Sequence, residues 1–169
     1  MSGQRDKTCN ILVDLSRQVL TVQQQGRPDI SFPVSTASQG AGEQADSFKT
    51  PRGCHYIRAC IGDGMPSGSV FVGRRPTGEI YSDALAAGHP ERDWILSRIL
   101  WLCGREPGRN RLGRVDSMRR YIYIHGTPDS EPMGVPASHG CIRMRNQDVI
   151  SLFAMVAPGT PVDISEGGS

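Results

Sequence analysis

The sequence predicts a mainly β fold, a sandwich or mixed sheet with about two peripheral helices, built as a single domain. The chain has 169 residues, which is the ordinary size of one domain. Its 20 glycines and 12 prolines are spread along the whole length and indicate many turns between short elements. A parallel α/β sheet requires helices between most strands, and the first half of the chain offers none.

The strands are predicted from short runs that alternate or are rich in β-branched and aromatic residues. In chain order these runs are Ile11–Leu15, Val19–Gln23, Ile30–Ser35, His55–Ile61, Val70–Gly73, Glu79–Tyr81, Tyr121–Ile124 and Pro161–Ile164. Residues 14–18 are typical of a hairpin connection between the first two runs. We expect one domain over residues 1–169, with its core between about 9 and 165.

Two segments are predicted to be helical. Trp94–Leu102 has a helix-forming composition and is followed by Cys103-Gly104, where glycine suits the end of a helix. Asn146–Val156 begins with a capping residue, carries an acidic residue in its first turn, and ends before Pro158.

The composition excludes several classes of partner. The net charge is only +2, from 19 basic and 17 acidic residues, which gives no basis for expecting nucleic acid or an anionic membrane as a partner. No stretch approaches the ~18 apolar residues of a transmembrane helix. The first apolar group, Ile11 to Val13, is interrupted by Asp14, so we expect no signal peptide and a cytoplasmic location, or a periplasmic one if a leader has been removed.

The five cysteines favour a reducing compartment, because an odd number cannot pair completely. Cys54, His55 and Cys60 raise the possibility of a metal site. They lack a second ligand pair at zinc spacing, and their alternation is typical of a strand. We therefore expect no metal and no cofactor.

The chemically distinctive residues lie between Tyr121 and Asp148. A predicted strand places His125 at its end, a common position for a functional residue on a rigid scaffold. A turn-rich stretch follows and lets the chain double back. Cys141, sixteen positions after His125, can then face the imidazole. This pairing suits catalysis, because an imidazole that takes the thiol proton raises the fraction of nucleophilic thiolate.

The residues around Cys141 suit the same chemistry. Gly140 leaves room for a substrate carbonyl, and the backbone N–H groups from Gly140 to Ile142 are natural oxyanion donors. Arg143 presents a planar guanidinium that can bind a substrate carboxylate. Each of these residues alone is more often structural, whereas their conjunction favours a catalytic site.

That conjunction resembles the signature of the L,D-transpeptidase (YkuD-type) family. The matching residues are His125-Gly126 and, after a short interval, Ser138-His139-Gly140-Cys141-Ile142-Arg143-Met144. The segment Phe48-Lys49-Thr50-Pro51-Arg52-Gly53 is similar to the family's Thr-Pro-x-Gly turn, and Asp93-Trp94-Ile95-Leu96 and residues 115–126 are also similar to it. The resemblance covers roughly residues 9–165 and implies a mainly β YkuD-like fold.

The resemblance implies that Cys141 is the acyl-accepting nucleophile and His125 its general base, oriented by the backbone carbonyl of Gly126. His139 is only two positions from Cys141, so sequence proximity favours His139 as the base, whereas the family favours His125. We follow the family and keep His139 among the catalytic candidates.

The other implied roles concern the pocket. Gly140 and Cys141 would supply oxyanion donors, and Ser138 and His139 would shape the pocket beside the thiol. Arg143 would anchor substrate or a loop rather than transfer a proton. With Ser138 and Arg143, Tyr123 completes the expected substrate-binding set.

Members of the family cleave a peptidoglycan tetrapeptide stem after its third residue and release the terminal D-alanine. The acceptor is an amine of another stem in cross-linking transpeptidases and water in L,D-carboxypeptidases, and the motif is the same in both. With a cytoplasmic location, we expect an L,D-carboxypeptidase that recycles peptidoglycan-derived tetrapeptides or muropeptides. The alternative is a transpeptidase that forms 3→3 cross-links in the wall.

Two other classes remain. A papain-like protease places its cysteine before its histidine, the reverse of the order here. An inactive wall-binding module has no need to retain His125, Gly140 and Cys141 together.

Overall fold

The computed structural model describes residues 9–167. The expectations about a signal peptide and about the outermost ends of the domain concern residues 1–8 and 168–169, which lie outside the described residues. Within residues 9–167, ten strands join in one mixed sheet that is accompanied by two α-helices. The predicted fold class, mainly β with two helices, is confirmed.

The strands are β1 Cys9–Asp14, β2 Val19–Gln24, β3 Ile30–Pro33, β4 Gly53–Ile61, β5 Ser69–Val72, β6 Arg75–Ile80, β7 Ile95–Gly104, β8 Tyr123–Thr127, β9 Ile142–Arg145 and β10 Pro161–Ser165. The main path through the sheet is β3-β2-β1-β10-β4-β7-β5-β6, and β8 joins β7 to β9. β1 with β10 and β8 with β9 pair in parallel, while the other neighbours are antiparallel.

Most of the predicted strands are present within a few residues of their expected bounds. Two runs are shifted most. The run Glu79–Tyr81 overlaps strand β6, which begins four residues earlier at Arg75. The run Tyr121–Ile124 overlaps β8, which begins two residues later and continues to Thr127. His125 therefore lies in the middle of a strand rather than at its end. Strand β9 was not predicted, because the parallel partner that pairs with these four residues is β8, which is distant in the sequence.

The predicted helix Trp94–Leu102 is wrong, since this segment forms strand β7, Ile95–Gly104. Nearly all its residues are buried, because the strand has other strands on both edges and apolar clusters on both faces. A strand that is buried on both faces has a continuous apolar run without alternation. Such a run has no period that distinguishes it from a buried helix.

The predicted helix Asn146–Val156 is confirmed as α2, Asn146–Met155, which packs Val149, Leu152 and Phe153 into the core. Asn146 does not cap this helix, because its side chain bonds to Ser97 Oγ at 2.6 Å and to the Thr127 carbonyl at 3.0 Å.

The second helix, α1 Asp83–Gly88, was not predicted. It has six residues and no buried side chain, so it lacks the apolar stripe that periodicity detects. Ser82 caps it by accepting a hydrogen bond from the Leu85 N–H. Neither helix in the described part of the chain is long and apolar enough to span a membrane.

The parallel pair β8–β9 has two different faces. Ile124, Ile142 and Met144 point into the main core. Tyr123 and Cys141 pack instead in a second, smaller apolar cluster on the opposite face. Because side chains alternate along a strand, His125 and Arg143 share that opposite face with them. This face carries the candidate site.

Candidate active site

Parallel pairing of β8 and β9 brings the predicted site residues together. His125 is level with Arg143 in the register, and Cys141 comes one residue before β9, beside Tyr123. The sheet therefore closes the sixteen-residue gap between His125 and Cys141. The turn-rich segment forms the loop between the two strands.

The Cys141 side chain is half-buried and held by backbone groups. Its thiol donates to the Tyr121 carbonyl at 3.3 Å, and the sulfur accepts from the Tyr123 N–H at 3.3 Å. Burial raises the pKa of the Cys141 thiol to about 12, although the Tyr123 N–H acts in the opposite direction. The resting group is thus a neutral thiol near pH 7, and it requires a base to become a nucleophile.

His125 is positioned as such a base. Its ring is 1% exposed, and Nδ1–H donates to the Gly126 carbonyl at 2.6 Å. This contact fixes the tautomer in which Nε2 has a free lone pair, and no hydrogen bond within residues 9–167 uses Nε2. Burial lowers the pKa of His125, so the imidazole is neutral and able to accept a proton.

The electrostatic surroundings place both groups in one site. The charges of Asp93 and Arg143 act on the pKa of Cys141 and also on that of His125. Gly126 itself is constrained by packing, because a Cβ there would lie 2.5 Å from the Leu96 carbonyl oxygen. The hydrogen bond that the family resemblance implied for Gly126 is present, whereas proton transfer by His125 stays a prediction.

Ser138 organises the loop that carries the thiol. Its buried hydroxyl donates to the Cys141 carbonyl at 2.6 Å and accepts from the Gly140 N–H at 3.2 Å. The Gly140 N–H, expected as an oxyanion donor, is therefore occupied within the loop. Of the two donors that the resemblance implies, the Cys141 N–H remains, because it forms no hydrogen bond in the described part of the chain. Contact of Ser138 with substrate stays a prediction.

Thr50 explains why the Cys141 N–H is left open. Its hydroxyl accepts from the Ala37 N–H at 3.0 Å and donates to the Gly140 carbonyl at 2.9 Å. Because C=O and N–H point in opposite directions across a trans peptide, this bond turns the Cys141 N–H away from Thr50. Gly140 has φ +134°, a conformation that favours glycine. The resemblance to a Thr-Pro-x-Gly turn was recognised in the sequence, but the role of Thr50 in orienting the Gly140–Cys141 peptide was not.

Arg143 anchors a loop. Its side chain is 10% exposed, pairs with Asp93 at 3.2 Å and donates to the Ala137 carbonyl at 3.3 Å. Those contacts hold residues 93 and 137 against β9. Tyr123 is also largely buried, and its hydroxyl accepts from Arg74 Nη1 at 3.1 Å. Substrate binding by Arg143 or Tyr123 stays a prediction.

His139 differs from His125 in its exposure. Its side chain is exposed and contacts Phe48 edge to face, with centroids 6.4 Å apart. It lines a cleft of about 330 Å³ together with residues 90–94, Thr127, Pro128, Glu131, Ala137 and Arg143. His139 is therefore placed to contact a ligand in the cleft, and its part in deprotonating the thiol stays a prediction.

Arg120 is a site residue that sequence reasoning missed. Its guanidinium donates to the backbone carbonyls of Lys49 at 2.7 Å and Glu43 at 3.2 Å, so it fixes the 42–49 loop. Its positive charge also lowers the pKa of Cys141. No local signal identifies it, because its partners are more than seventy residues away.

His55, one of the residues considered for a metal site, is bound to other parts of the protein instead. The His55 ring is buried, and both ring nitrogens have protein partners, Gly53 O at 3.0 Å and Ser117 Oγ at 2.8 Å. Among residues 9–167 there is no group of three or more His, Cys, Asp and Glu side chains placed to hold a metal, and no disulfide.

Comparison with known families and proteins agrees with this geometry. The sequence profile of the YkuD L,D-transpeptidase catalytic domain matches residues 10–164. The "Putative L,D-transpeptidase YkuD" of Bacillus licheniformis is 43% identical over 47 residues, which is 28% of this chain and 28% of the relative. The aligned segment is thus a minor part of either protein.

Solved structures share the fold. An L,D-transpeptidase from Mycobacterium smegmatis superposes with a TM-score of 0.53 and 18% identity, over 94% of this chain and 58% of that one. L,D-transpeptidase 3 from Mycobacterium tuberculosis has a TM-score of 0.56 and 16% identity, over 94% and 61%. The chain therefore spans about three fifths of the length of these two structures.

Proposed function

The chain belongs to the YkuD family of L,D-transpeptidase catalytic domains, and from this premise we propose that it is a cysteine acyltransferase that removes the terminal D-alanine from peptidoglycan tetrapeptides. The observation that carries the proposal is the arrangement around Cys141. A thiol, an imidazole with a free Nε2 and an unoccupied backbone N–H lie on one face of β8–β9. Acyl transfer needs a nucleophile, a base and an oxyanion donor, and these three groups match that requirement.

In the acylation step, the Cys141 sulfur attacks the carbonyl carbon of the third residue while His125 Nε2 takes the thiol proton. The resulting oxyanion accepts a hydrogen bond from the Cys141 N–H. Collapse of this intermediate breaks the C–N bond, and the leaving D-alanine amine takes the proton from His125. The product is a thioester on Cys141.

In the deacylation step, His125 Nε2 takes a proton from water as the water oxygen attacks the thioester carbonyl. The C–S bond breaks, the sulfur regains the proton from His125, and the tripeptide leaves as a carboxylic acid, which loses the second proton of the water to solvent. No oxidant, reductant or metal enters either step, so the residues described above account for all the transferred protons.

Water as the acceptor is supported by its concentration, and a small peptide as the substrate by the size of the cleft. Water is present at far higher concentration than any amine unless a second stem is bound beside the thioester. The cleft of about 330 Å³ that His139 and Arg143 line is of the size that suits a small peptide. The proposal therefore assigns an L,D-carboxypeptidase of peptidoglycan recycling, acting on soluble peptides in the cytoplasm.

The second candidate is a transpeptidase that forms 3→3 cross-links. It is favoured by the names of the relatives, since the Bacillus, M. smegmatis and M. tuberculosis proteins are all named L,D-transpeptidases. Its acylation step is identical, and only the acceptor differs. A product assay separates the two.

The test is incubation of the enzyme with free tetrapeptide, alone and with a second stem in excess, followed by mass spectrometry. We expect tripeptide and D-alanine in both cases, with little dimer, and no product from Cys141→Ala. Dimer as the main product, together with protein found outside the membrane on cell fractionation, would favour the cross-linking enzyme. Absence of both products would show that these stems are not substrates.

A further inference from the structure

A group of guanidinium and aromatic side chains lies beside the nucleophile and has no part in the mechanism above. The Arg74 guanidinium carbon is 4.6 Å from the Trp101 ring centroid and 5.0 Å from that of Tyr121. Arg58 approaches Trp101 at 5.4 Å, and Arg74 also donates to the Tyr123 hydroxyl at 3.1 Å. We call Arg58, Arg74, Trp101, Tyr121 and Tyr123 the cationic platform.

The cationic platform is adjacent to the reacting sulfur. Tyr121 and Tyr123 supply the carbonyl and the N–H that hold Cys141 Sγ, each at 3.3 Å. The Tyr121 side chain is 54% exposed, so the platform is open to a ligand on the thiol side. Trp101 and Tyr123 also pack in the same apolar cluster as Cys141.

The backbone presents Arg74 in an unusual way. Strands β5 and β6 are joined through Gly73 and Arg74, since Val72 pairs with Arg75. Gly73 has φ +56° and Arg74 has φ +64°, the values of a two-residue hairpin turn in which Gly, Asn or Asp is preferred at both positions. The turn type alone therefore does not account for an arginine at this position.

Arg74 differs from the other arginines of the site in its partners. Arg143 is paired with Asp93, and Arg120 donates hydrogen bonds to backbone carbonyls of the 42–49 loop. Neither Arg58 nor Arg74 forms an ion pair with a carboxylate of residues 9–167. Stacking holds the Arg74 guanidinium in place and leaves N–H donors open for an anion.

The cleft that His139 lines offers an arginine that is already paired. Asp93 and Glu131, with side chains 49% and 42% exposed, both form ion pairs with Arg143 there. Arg74 has no such carboxylate partner among residues 9–167. A peptide carboxylate is therefore attracted more strongly to the platform than to Arg143.

Resting on the proposed function, we propose that the cationic platform binds the free C-terminal carboxylate of the donor peptide, with Arg74 as its main ligand. The planar guanidinium donates to the carboxylate oxygens, while the exposed Tyr121 ring packs against the small side chain of the terminal residue. The contact places the last peptide bond over Cys141. It restricts cleavage to the C-terminal residue, whichever acceptor follows.

The test compares a tetrapeptide that ends in D-alanine with the same peptide that ends in D-alaninamide, which lacks the carboxylate charge. We expect the wild-type kcat/KM to be about 10- to 100-fold higher for the acid, the range of a charge-assisted hydrogen bond. Arg74→Gln is expected to lower kcat/KM for the acid to the value for the amide, and to leave kcat/KM for the amide unchanged. Arg74→Lys is expected to be intermediate.

Arg75→Gln is the matched control, because Arg75 is the exposed neighbour and makes no ion pair with the described residues. It is expected to behave as wild type. A structural effect of the Arg74 substitution would reduce kcat/KM equally for both substrates, and that outcome would overturn the proposal. Equal wild-type rates on acid and amide would also overturn it, while leaving the proposed function intact.

A second measurement needs no peptide. The rate of Cys141 alkylation by anionic iodoacetate is divided by that with neutral iodoacetamide, with adducts located by mass spectrometry. Arg74→Gln is expected to lower this ratio several-fold, and Arg75→Gln to leave it unchanged. An unchanged ratio in Arg74→Gln would contradict the platform. If the wild type releases D-alanine from neither peptide, the proposed function fails, and the alkylation ratio still decides whether the platform attracts anions.

Discussion

His55 and His125 lie on strands of the same sheet, β4 and β8, and each ring is 1% exposed. In both, Nδ1 meets a nearby backbone carbonyl, Gly53 O at 3.0 Å and Gly126 O at 2.6 Å. The difference is at Nε2. In His55 it accepts from the Ser117 hydroxyl at 2.8 Å, whereas no hydrogen bond within residues 9–167 uses Nε2 of His125.

This comparison separates a histidine with two bonded nitrogens from one with an open nitrogen. A buried imidazole whose two nitrogens are both satisfied stabilises the fold and has no lone pair to offer. An imidazole with one nitrogen fixed and the other open is oriented and still able to take a proton. Burial lowers the pKa of both residues, so the pKa alone does not distinguish them. The hydrogen-bond partners of Nε2 distinguish them.

The largest effect is expected when the predicted nucleophile on the same face of the sheet is removed. Cys141→Ala should reduce turnover by more than about 10³-fold, because no other group can form the thioester. Urea unfolding should show little loss of stability. Cys54→Ser, at an exposed cysteine on β4, is the control and should retain activity. More than a few per cent of the wild-type rate in Cys141→Ala would refute the mechanism.

The next effect concerns the base. His125→Ala should slow acylation by about 10²- to 10⁴-fold, the usual loss for a general base. His139→Ala should cost less, because this ring is exposed and lacks the backbone hydrogen bond that fixes the tautomer of His125. Stopped-flow acylation measures both rates. If His139→Ala is the slower variant, the two imidazoles exchange roles.

Removal of the structural histidine should have the opposite profile. His55→Ala leaves the Ser117 hydroxyl and the Gly53 carbonyl without their partner, so the free energy of unfolding should fall by about 1–3 kcal/mol. The acylation rate of the folded variant should be unchanged. Urea unfolding and stopped-flow acylation on the same samples test both statements. A loss of acylation without a loss of stability would break the distinction between the two histidines.

The smallest effect is on stability as a function of pH. Because the pKa of His55 and of His125 is lowered by burial, the unfolded chain binds protons below the ordinary pKa of about 6.5 while the folded chain does not. Above that pH both states are neutral and the two residues add no pH dependence. Below it, each should reduce the free energy of unfolding by at most about 1.4 kcal/mol per pH unit.

Urea titrations at pH 7.5 and 5.5 measure this slope. The variants His55→Ala and His125→Ala should each lose part of it, whereas Cys54→Ser should keep the wild-type slope. A wild-type slope in both histidine variants would mean that neither imidazole is held neutral by burial.

The strands and the site differ in how far sequence could predict them. Alternation predicted the bounds of β1 and β2 to within two residues, because each strand has one buried and one partly exposed face. It failed for β7, whose two buried faces remove the alternation. The candidate nucleophile and base were predicted from the motif that contains His125 and Cys141. The contact of Thr50 with the Gly140 carbonyl, across ninety residues, had no local signal.

The sequence by itself determined the mainly β class, the helix α2, and the pairing of a cysteine with a histidine as the chemical centre. These follow from local periodicity and from residue types that carry their chemistry with them. Only the tertiary structure decided which buried histidine keeps an open nitrogen, which N–H near Cys141 remains free, and where the charge of Arg74 is placed. The physical reason is that a hydrogen-bond partner or a neighbouring charge is set by strand pairing over long sequence distances, which no local pattern records.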